Sequence, residues 1–240
     1  MSLRNASLLY LFLETPHVDE QQHFLETIVR LPVIETDTNP RSKHGLVKFD
    51  AGSLMISLNR SPLRRFPPDS SDGILTIFAQ GSTRITDRVG HHYLLAGTSN
   101  NIRPKAVELV LQVNELASSM TFYRDVLGFE PLHVGRAGAT FRTGTIPISL
   151  IVGRCAVDGK RIRYTSYLLV FHTPHIERTS TCLTSNGVAF SSKRISEAPP
   201  GKTRRFRDPS GHQFCLYEPS PEALQWPSGP KLRQIVGGVG

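Results

Sequence analysis

A chain of 240 residues with 39% hydrophobic and 20% charged side chains is long enough to bury a core or two and is neither disordered nor fibrous in composition. Three cysteines, Cys155, Cys182 and Cys215, in no CxxC spacing exclude a disulfide-stapled scaffold and a zinc knuckle. The net charge of +8 is spread along the chain, clustering only at residues 60–65 and 202–207 without an aromatic ladder, so it predicts a solvated basic surface and no nucleic-acid partner.

In chain order, residues 7–15 (SLLYLFLET) predict a strand. The apolar stretch there has no small-residue cleavage site before Glu14 and no run approaches the roughly 20 residues that span a bilayer, so a cytoplasmic chain without a membrane partner is expected. Val18, Phe24, Leu25, Ile28 and Val29 are spaced for a helix over 17–29. Residues 31–34 and 45–49 read as extended, and Gly52 permits a tight turn into a strand over 54–58. Residues 60–72 read as a linker, and 73–79 open a truncated copy of the pattern with little room for a helix before Asn100. His91-His92 reads as a surface loop, and 97–105 as the linker between halves.

The strand–helix–strand pattern then returns twice. Residues 108–113 predict a strand, Asn114 an N-cap, Leu116, Met120, Tyr123 and Leu127 one helical face, and Gly128 the stop. Strands follow at 132–135, 139–143 and 146–152. The next copy has a strand at 166–172, a helix at 175–186 ended by Gly187, and strands at 188–191, 202–207 and 212–218 around the turn Asp208-Pro209-Ser210-Gly211. The tail at 221–240 is expected to be loosely ordered.

Two stretches carry a family resemblance: LVLQVNELASSMTFYRDVLGFE at 109–130 and RFRDPSGHQFCLYEP at 205–219. In this order and spacing the chain resembles the vicinal oxygen chelate superfamily, which includes glyoxalase I, bleomycin-resistance proteins and extradiol dioxygenases. The resemblance covers 104–220 well and 7–60 more weakly. It implies an α+β fold of repeated βαβββ modules whose sheets curl into cups: a degenerate N-terminal half over 1–98 and a complete module pair over 104–220.

Strand alternation supplies the cup-facing residues. Glu108, Val110 and Gln112 face the cup while Leu109, Leu111 and Val113 face a helix. Leu168, Val170 and His172, Gln213, Cys215 and Tyr217, and Ser149 are placed in the cup by the same argument, with Glu108 and Cys215 on one concave face of the pair. Tyr10, Phe12 and Met55 line either an apolar pocket or plain core in the first half. In metal-dependent relatives His, Gln or Glu side chains enter the cup; the matching positions here are Glu108, Ser149, Leu168 and Cys215, with Tyr10 in the first half. That set implies no cofactor, although a carboxylate with a thiolate, or with a displaced His172, leaves a divalent metal as the alternative.

The reading drawn from this is an enzyme acting on a small organic molecule, with Glu108 as general base in isomerase, cyclase or lyase chemistry. The bland alternative for Glu108 is a salt bridge to Arg142 or Arg207. Cys215 is a candidate nucleophile only if a neighbour lowers its pKa. Gln112, Ser149, Leu168, Val170, His172, Gln213 and Tyr217 are candidate substrate contacts. The rival functions are a sequestering small-molecule binder, as in bleomycin resistance, and a dioxygenase with atypical ligands. A homodimer is left open. No Walker loop, GxGxxG, GxSxG or HExxH is present.

Overall fold

The computed structural model describes residues 2–4, 6–37, 47–60, 73–79, 83–86, 91–97, 103–153, 157–158, 161–162 and 167–237. The expected linker at 60–72 lies outside them except for Arg60.

Four modules follow one another. The first holds β1 (Leu8–Thr15), α1 (Val18–Thr27), β2 (Val33–Thr36), β3 (Val47–Asp50) and β4 (Met55–Arg60). The second is the truncated copy: β5 (Gly73–Ala79), β6 (Thr83–Thr86) and β7 (His92–Gly97), with no helix among its described residues. The third has β8 (Lys105–Val113), α2 (Leu116–Thr121) continued by one wide turn over Phe122–Val126, β9 (Glu130–Val134), β10 (Gly138–Arg142) and β11 (Ile148–Val152). A short hairpin, β12 (Val157–Asp158) and β13 (Arg161–Ile162), leads to the fourth: β14 (Tyr167–His172), α3 (Ile176–Ser185), β15 (Ser196–Ala198), β16 (Gly201–Arg207) and β17 (Gln213–Pro219). In every module the first strand lies parallel to the last, β1 on β4, β5 on β7, β8 on β11 and β14 on β17.

The modules do not pair in chain order. β1 runs antiparallel to β14, joining the first module to the fourth in an eight-stranded sheet ordered β15-β16-β17-β14-β1-β4-β3-β2. β5 runs antiparallel to β8, joining the second to the third in a seven-stranded sheet ordered β6-β7-β5-β8-β11-β10-β9. The sequence explains why β1 and β14 are central: LLYLFLET and YLLVFH are almost continuously apolar, the mark of strands covered on both faces. Glu108 and Cys215 therefore stand on different sheets, which overturns the expectation that both lie on one concave face of a 104–220 cup.

The helix-facing sides of both sheets share one core. Leu11 and Leu13, Leu109 and Leu111, Leu169 and Phe171, and Phe214 and Leu216 join Leu25, Tyr123, Leu127 and Leu183 from the helices. The two stretches that carry the family resemblance meet inside it: the Tyr123 hydroxyl donates to Asp208 Oδ2 at 3.0 Å. The other Asp208 oxygen accepts from the His212 amide at 2.8 Å and closes the turn, with Gly211 at φ +91°. Gly128 at φ +79° and Gly187 at φ +94° end their helices as predicted.

Several local expectations change. The N-cap of α2 is Glu115, whose carboxylate accepts from the amides of Ala117 (2.9 Å) and Ser118 (2.6 Å); the Asn114 amide instead donates to Ser210 Oγ. Residues 188–191 contribute only an isolated bridge, Phe190 to Phe206, and the sheet edge is β15. His91 is fully buried, its ring 5.1 Å from that of Tyr167, so it is not a surface loop residue. The tail, expected to be loose, carries a 3-10 turn over Ala223–Gln225 and α4 (Gly229–Gly237), with Leu232 and Ile235 buried. Among the described residues no helix is long and apolar enough to cross a membrane.

Candidate functional site

The concave face of the eight-stranded sheet is built row by row from strand register. One row crosses Asp50, Met55, Tyr10, Val170, Cys215 and Arg205; the next crosses Lys48, Ser57, Phe12, Leu168 and Gln213. A bulge between Leu8 and Tyr10 turns Leu9 onto this face as well, where it packs with Met55, Val170 and Tyr217.

The chain's own C-terminus closes the cup. Leu232 and Ile235 of α4, with Leu224 and Val236, lie on the apolar side chains of this face. Buried polar groups fasten the segment. Lys48 Nζ meets Glu35 Oε1 at 2.5 Å and donates to Ser228 Oγ at 3.2 Å, while the Ser228 amide donates to Glu35 Oε2 at 2.9 Å. Burial pushes the Glu35 carboxyl up, but the hydrogen bonds from Lys48 and Ser228 outweigh it and hold it below the usual range. Lys231 Nζ lies 2.9 Å from Asp50 Oδ1, and Lys48 sits 5.1 Å from the centre of the Trp226 ring.

Between the sheet and this segment remains a cavity of about 240 Å³. Tyr10, Phe12, Leu168, Val170, Tyr217 and Trp226 form its apolar walls; Lys48, Asn59, Ser196, Thr203 and Arg205 are its polar groups, and among the described residues no Asp or Glu lines it. Burial pushes the Tyr10 and Tyr217 phenols up, so both are neutral, and the Tyr217 hydroxyl donates to Pro200 O at 2.6 Å. Cys215 lies on the wall with its thiol pushed up to about 11, because burial outweighs the nearby Arg205 cation.

Of the predicted site residues, Leu168, Val170, Cys215 and Tyr217 line this cavity. Gln213 stands on the same face beside Leu168. His172, expected in the same cup, lines a separate crevice with Arg4, Thr173 and Val236; burial lowers its pKa more than Glu218 raises it, so it is neutral near pH 7. Sequence reasoning did not reach Lys48, Asn59, Thr203, Arg205 and Trp226. Alternation on β3, β4 and β16 points to the first four, once the strand ends are known. The only tryptophan in the chain, in a segment expected to be loose, is the signal for the fifth.

Glu108, Gln112 and Ser149 belong to the seven-stranded sheet. Ser149 Oγ donates to Glu108 Oε1 at 2.5 Å and lies 2.7 Å from Thr140 Oγ1. Thr76 stands directly across the β5–β8 seam from Glu108, its hydroxyl oxygen buried with no hydrogen-bond partner among the described residues. The salt bridges considered for Glu108 do not form: Arg142 faces Glu130 at 3.4 Å, and Arg207, on the other sheet, donates to Gly211 O.

On both faces the described residues lack a divalent-metal ligand set. Among the described residues no three His, Cys, Asp or Glu side chains converge. Tyr10, Val170 and a protonated Cys215 offer no hard anionic ligand, and the described neighbours of the Glu108 carboxylate are hydroxyls.

Residues 105–216 match the family described as the Glyoxalase/Bleomycin resistance protein/Dioxygenase superfamily. Among solved structures, glyoxalase I from Zea mays superposes with a TM-score of 0.69 at 13% identity, covering 96% of each chain. A Bacillus subtilis protein described as a candidate dioxygenase superposes with a TM-score of 0.67 at 11% identity, covering 98% of this chain and 97% of its own. At such identities the likeness is one of fold. Comparison with curated proteins gives no match.

Proposed function

We propose that this chain, which over residues 105–216 belongs to the Glyoxalase/Bleomycin resistance protein/Dioxygenase superfamily, binds a small organic molecule in the cavity of its eight-stranded sheet and retains it without a metal ion. The observation that carries this reading is the cavity itself: about 240 Å³, walled by aromatic and aliphatic side chains, with a few polar groups and, among the described residues, no lining carboxylate to act as base. A cavity of roughly 150 Å³ already accepts benzene, so one substituted ring fits. The protonated Cys215 supports retention rather than attack on the ligand.

Trp226 reports on this site directly, being the single tryptophan and a wall of the cavity. Titration with benzyl alcohol is expected to give a saturable change in its fluorescence. Val170→Trp, which fills the space, adds a second tryptophan, so its loss of binding is checked by calorimetry. Absence of saturable binding by both methods in the wild-type protein overturns the reading.

A second reading keeps Glu108 as a general base on the seven-stranded sheet. It is favoured by one arrangement, the carboxylate held by Ser149 beside the Thr76 hydroxyl, which has no hydrogen-bond partner among the described residues.

A further inference from the structure

We infer that the cavity selects a single-ring aromatic carboxylate whose acid end meets Arg205 and whose opposite end carries a hydrogen-bond donor for Asn59. This rests on the binding reading above and names the class of ligand.

The charge arrangement comes first. Lys48 is engaged by Glu35 and Ser228, and Asp50 by Lys231 and Arg103. Arg205 lines the cavity, and among the described residues no carboxylate forms an ion pair with it. Its cross-strand neighbour is the Cys215 thiol, protonated at neutral pH. A guanidinium presents a planar fork that matches a carboxylate with two parallel hydrogen bonds. Thr203, two residues along the same strand, and its cross-strand partner Ser196 add hydroxyl donors beside it.

The opposite end wants the reverse polarity. Asn59 Oδ1 is buried without a hydrogen-bond partner among the described residues, and Asn59 lines the cavity. A buried acceptor left in that state costs free energy that a ligand hydroxyl or amine recovers. Between the two ends stand rings: Tyr10 and Phe12 with centroids 5.4 Å apart, Tyr217 edge-on to Tyr10 at 6.3 Å, and Trp226 opposite. These walls suit a planar aromatic body. β16 and β4 are four strand steps apart, and Asn59 lies four residues along β4 from Met55, which shares the row of Arg205, so the two polar groups stand at opposite corners of this face. Acid and donor therefore belong at opposite poles of the ring, as in a para-substituted benzoate.

Three probes test this by calorimetry and Trp226 fluorescence: 4-hydroxybenzoate, its neutral analogue 4-hydroxybenzamide, and benzoate. The acid is expected to bind about tenfold or more tighter than the amide, and benzoate, lacking the donor, more weakly than 4-hydroxybenzoate. Arg205→Leu, at an exposed position, is expected to abolish the preference for acid over amide, the acid losing about tenfold or more in affinity, with the melting temperature unchanged. Asn59→Leu is expected to abolish the preference for 4-hydroxybenzoate over benzoate. Equal binding of acid and amide, or a preference that survives Arg205→Leu, overturns the ligand class while the cavity remains a binding site. A failure of all three probes and of benzyl alcohol overturns the binding reading itself.

Discussion

Cys215 lies on the last strand of the fourth module and lines the cavity, but its surroundings do not make a thiolate. Burial pushes the thiol up to about 11, so at neutral pH it is a small apolar wall group with its proton directed to Leu216 O at 3.3 Å. Alkylation of Cys215 by iodoacetamide in the native protein is therefore expected to be negligible at pH 8 and to rise only as pH approaches 11, read by mass spectrometry of the peptide. Cys215→Ser should leave ring binding within a few-fold; a larger loss would mean the thiol contacts the ligand chemically. Glu108 poses a different question. Its partner is the Ser149 hydroxyl rather than an arginine, so Glu108→Gln preserves shape and leaves no cation stranded. If Glu108 serves as a base, that variant should lower turnover by about 10²–10⁴-fold with the affinity kept. An unchanged rate would end the catalytic reading of this face.

At the scale of elements, the C-terminal segment is held on the cup by apolar packing and by the Ser228 hydrogen bonds to the buried Glu35–Lys48 pair, and the two respond differently to pH. Leu232 is 1% exposed, so Leu232→Ala is expected to cost about 2–5 kcal/mol at any pH, measured by urea denaturation. Glu35 has a folded-state pKa below its unfolded value, so its contribution to stability is present at neutral pH and is lost as pH falls through the folded value, below the ordinary carboxylate range of about 4. Glu35→Gln leaves Lys48, 4% exposed, without its carboxylate and is expected to cost about 3 kcal/mol at pH 7. The same variant should show a smaller loss of melting temperature between about pH 6 and pH 3 than the wild type. An acid limb of equal steepness in both proteins would assign the acid sensitivity elsewhere.

For the whole molecule, the pairing of modules decides what can stand alone. The first module is joined to the fourth through β1 and β14, and the second to the third through β5 and β8. Residues 104–220 alone would expose the long edges of β8 and β14, both apolar and both central in the native sheets. That fragment is expected to show no cooperative thermal transition as a monomer, assessed by melting and sedimentation. Adding residues 1–98 as a separate chain should restore one. A stably folded, monomeric 104–220 fragment would show that the seams contribute little. The Tyr123–Asp208 hydrogen bond ties the third module to the fourth across the shared core, so Tyr123→Phe should cost about 1–3 kcal/mol by leaving one buried carboxylate oxygen short of a donor.

What the sequence determined by itself was local. Strict alternation on β8 and β17 assigned Leu109, Leu111, Phe214 and Leu216 to the core and left Glu108, Cys215 and Tyr217 facing outward from it, because side-chain direction along a strand has period two. Gly128 and Gly187 marked helix ends, and the Asp208–Gly211 turn was legible, because backbone preference at those residues outweighs context. The same period-two rule was enough to turn Tyr10, Leu168, Val170, Cys215 and Tyr217 toward the concave side of their sheet. Which strands meet was decided only in three dimensions: an apolar run such as LLYLFLET marks β1 as covered on both faces without naming the strand beside it, so β1 on β14 is not distinguished locally from β1 on β8. The bulge that turns Leu9 into the cup follows from that pairing. The tail was the other omission. A nine-residue helix such as α4 is too short to persist alone and is stabilised by what Leu232 and Ile235 cover, so its order, and with it Trp226 as a wall of the cavity, exists only once the sheet beneath has formed.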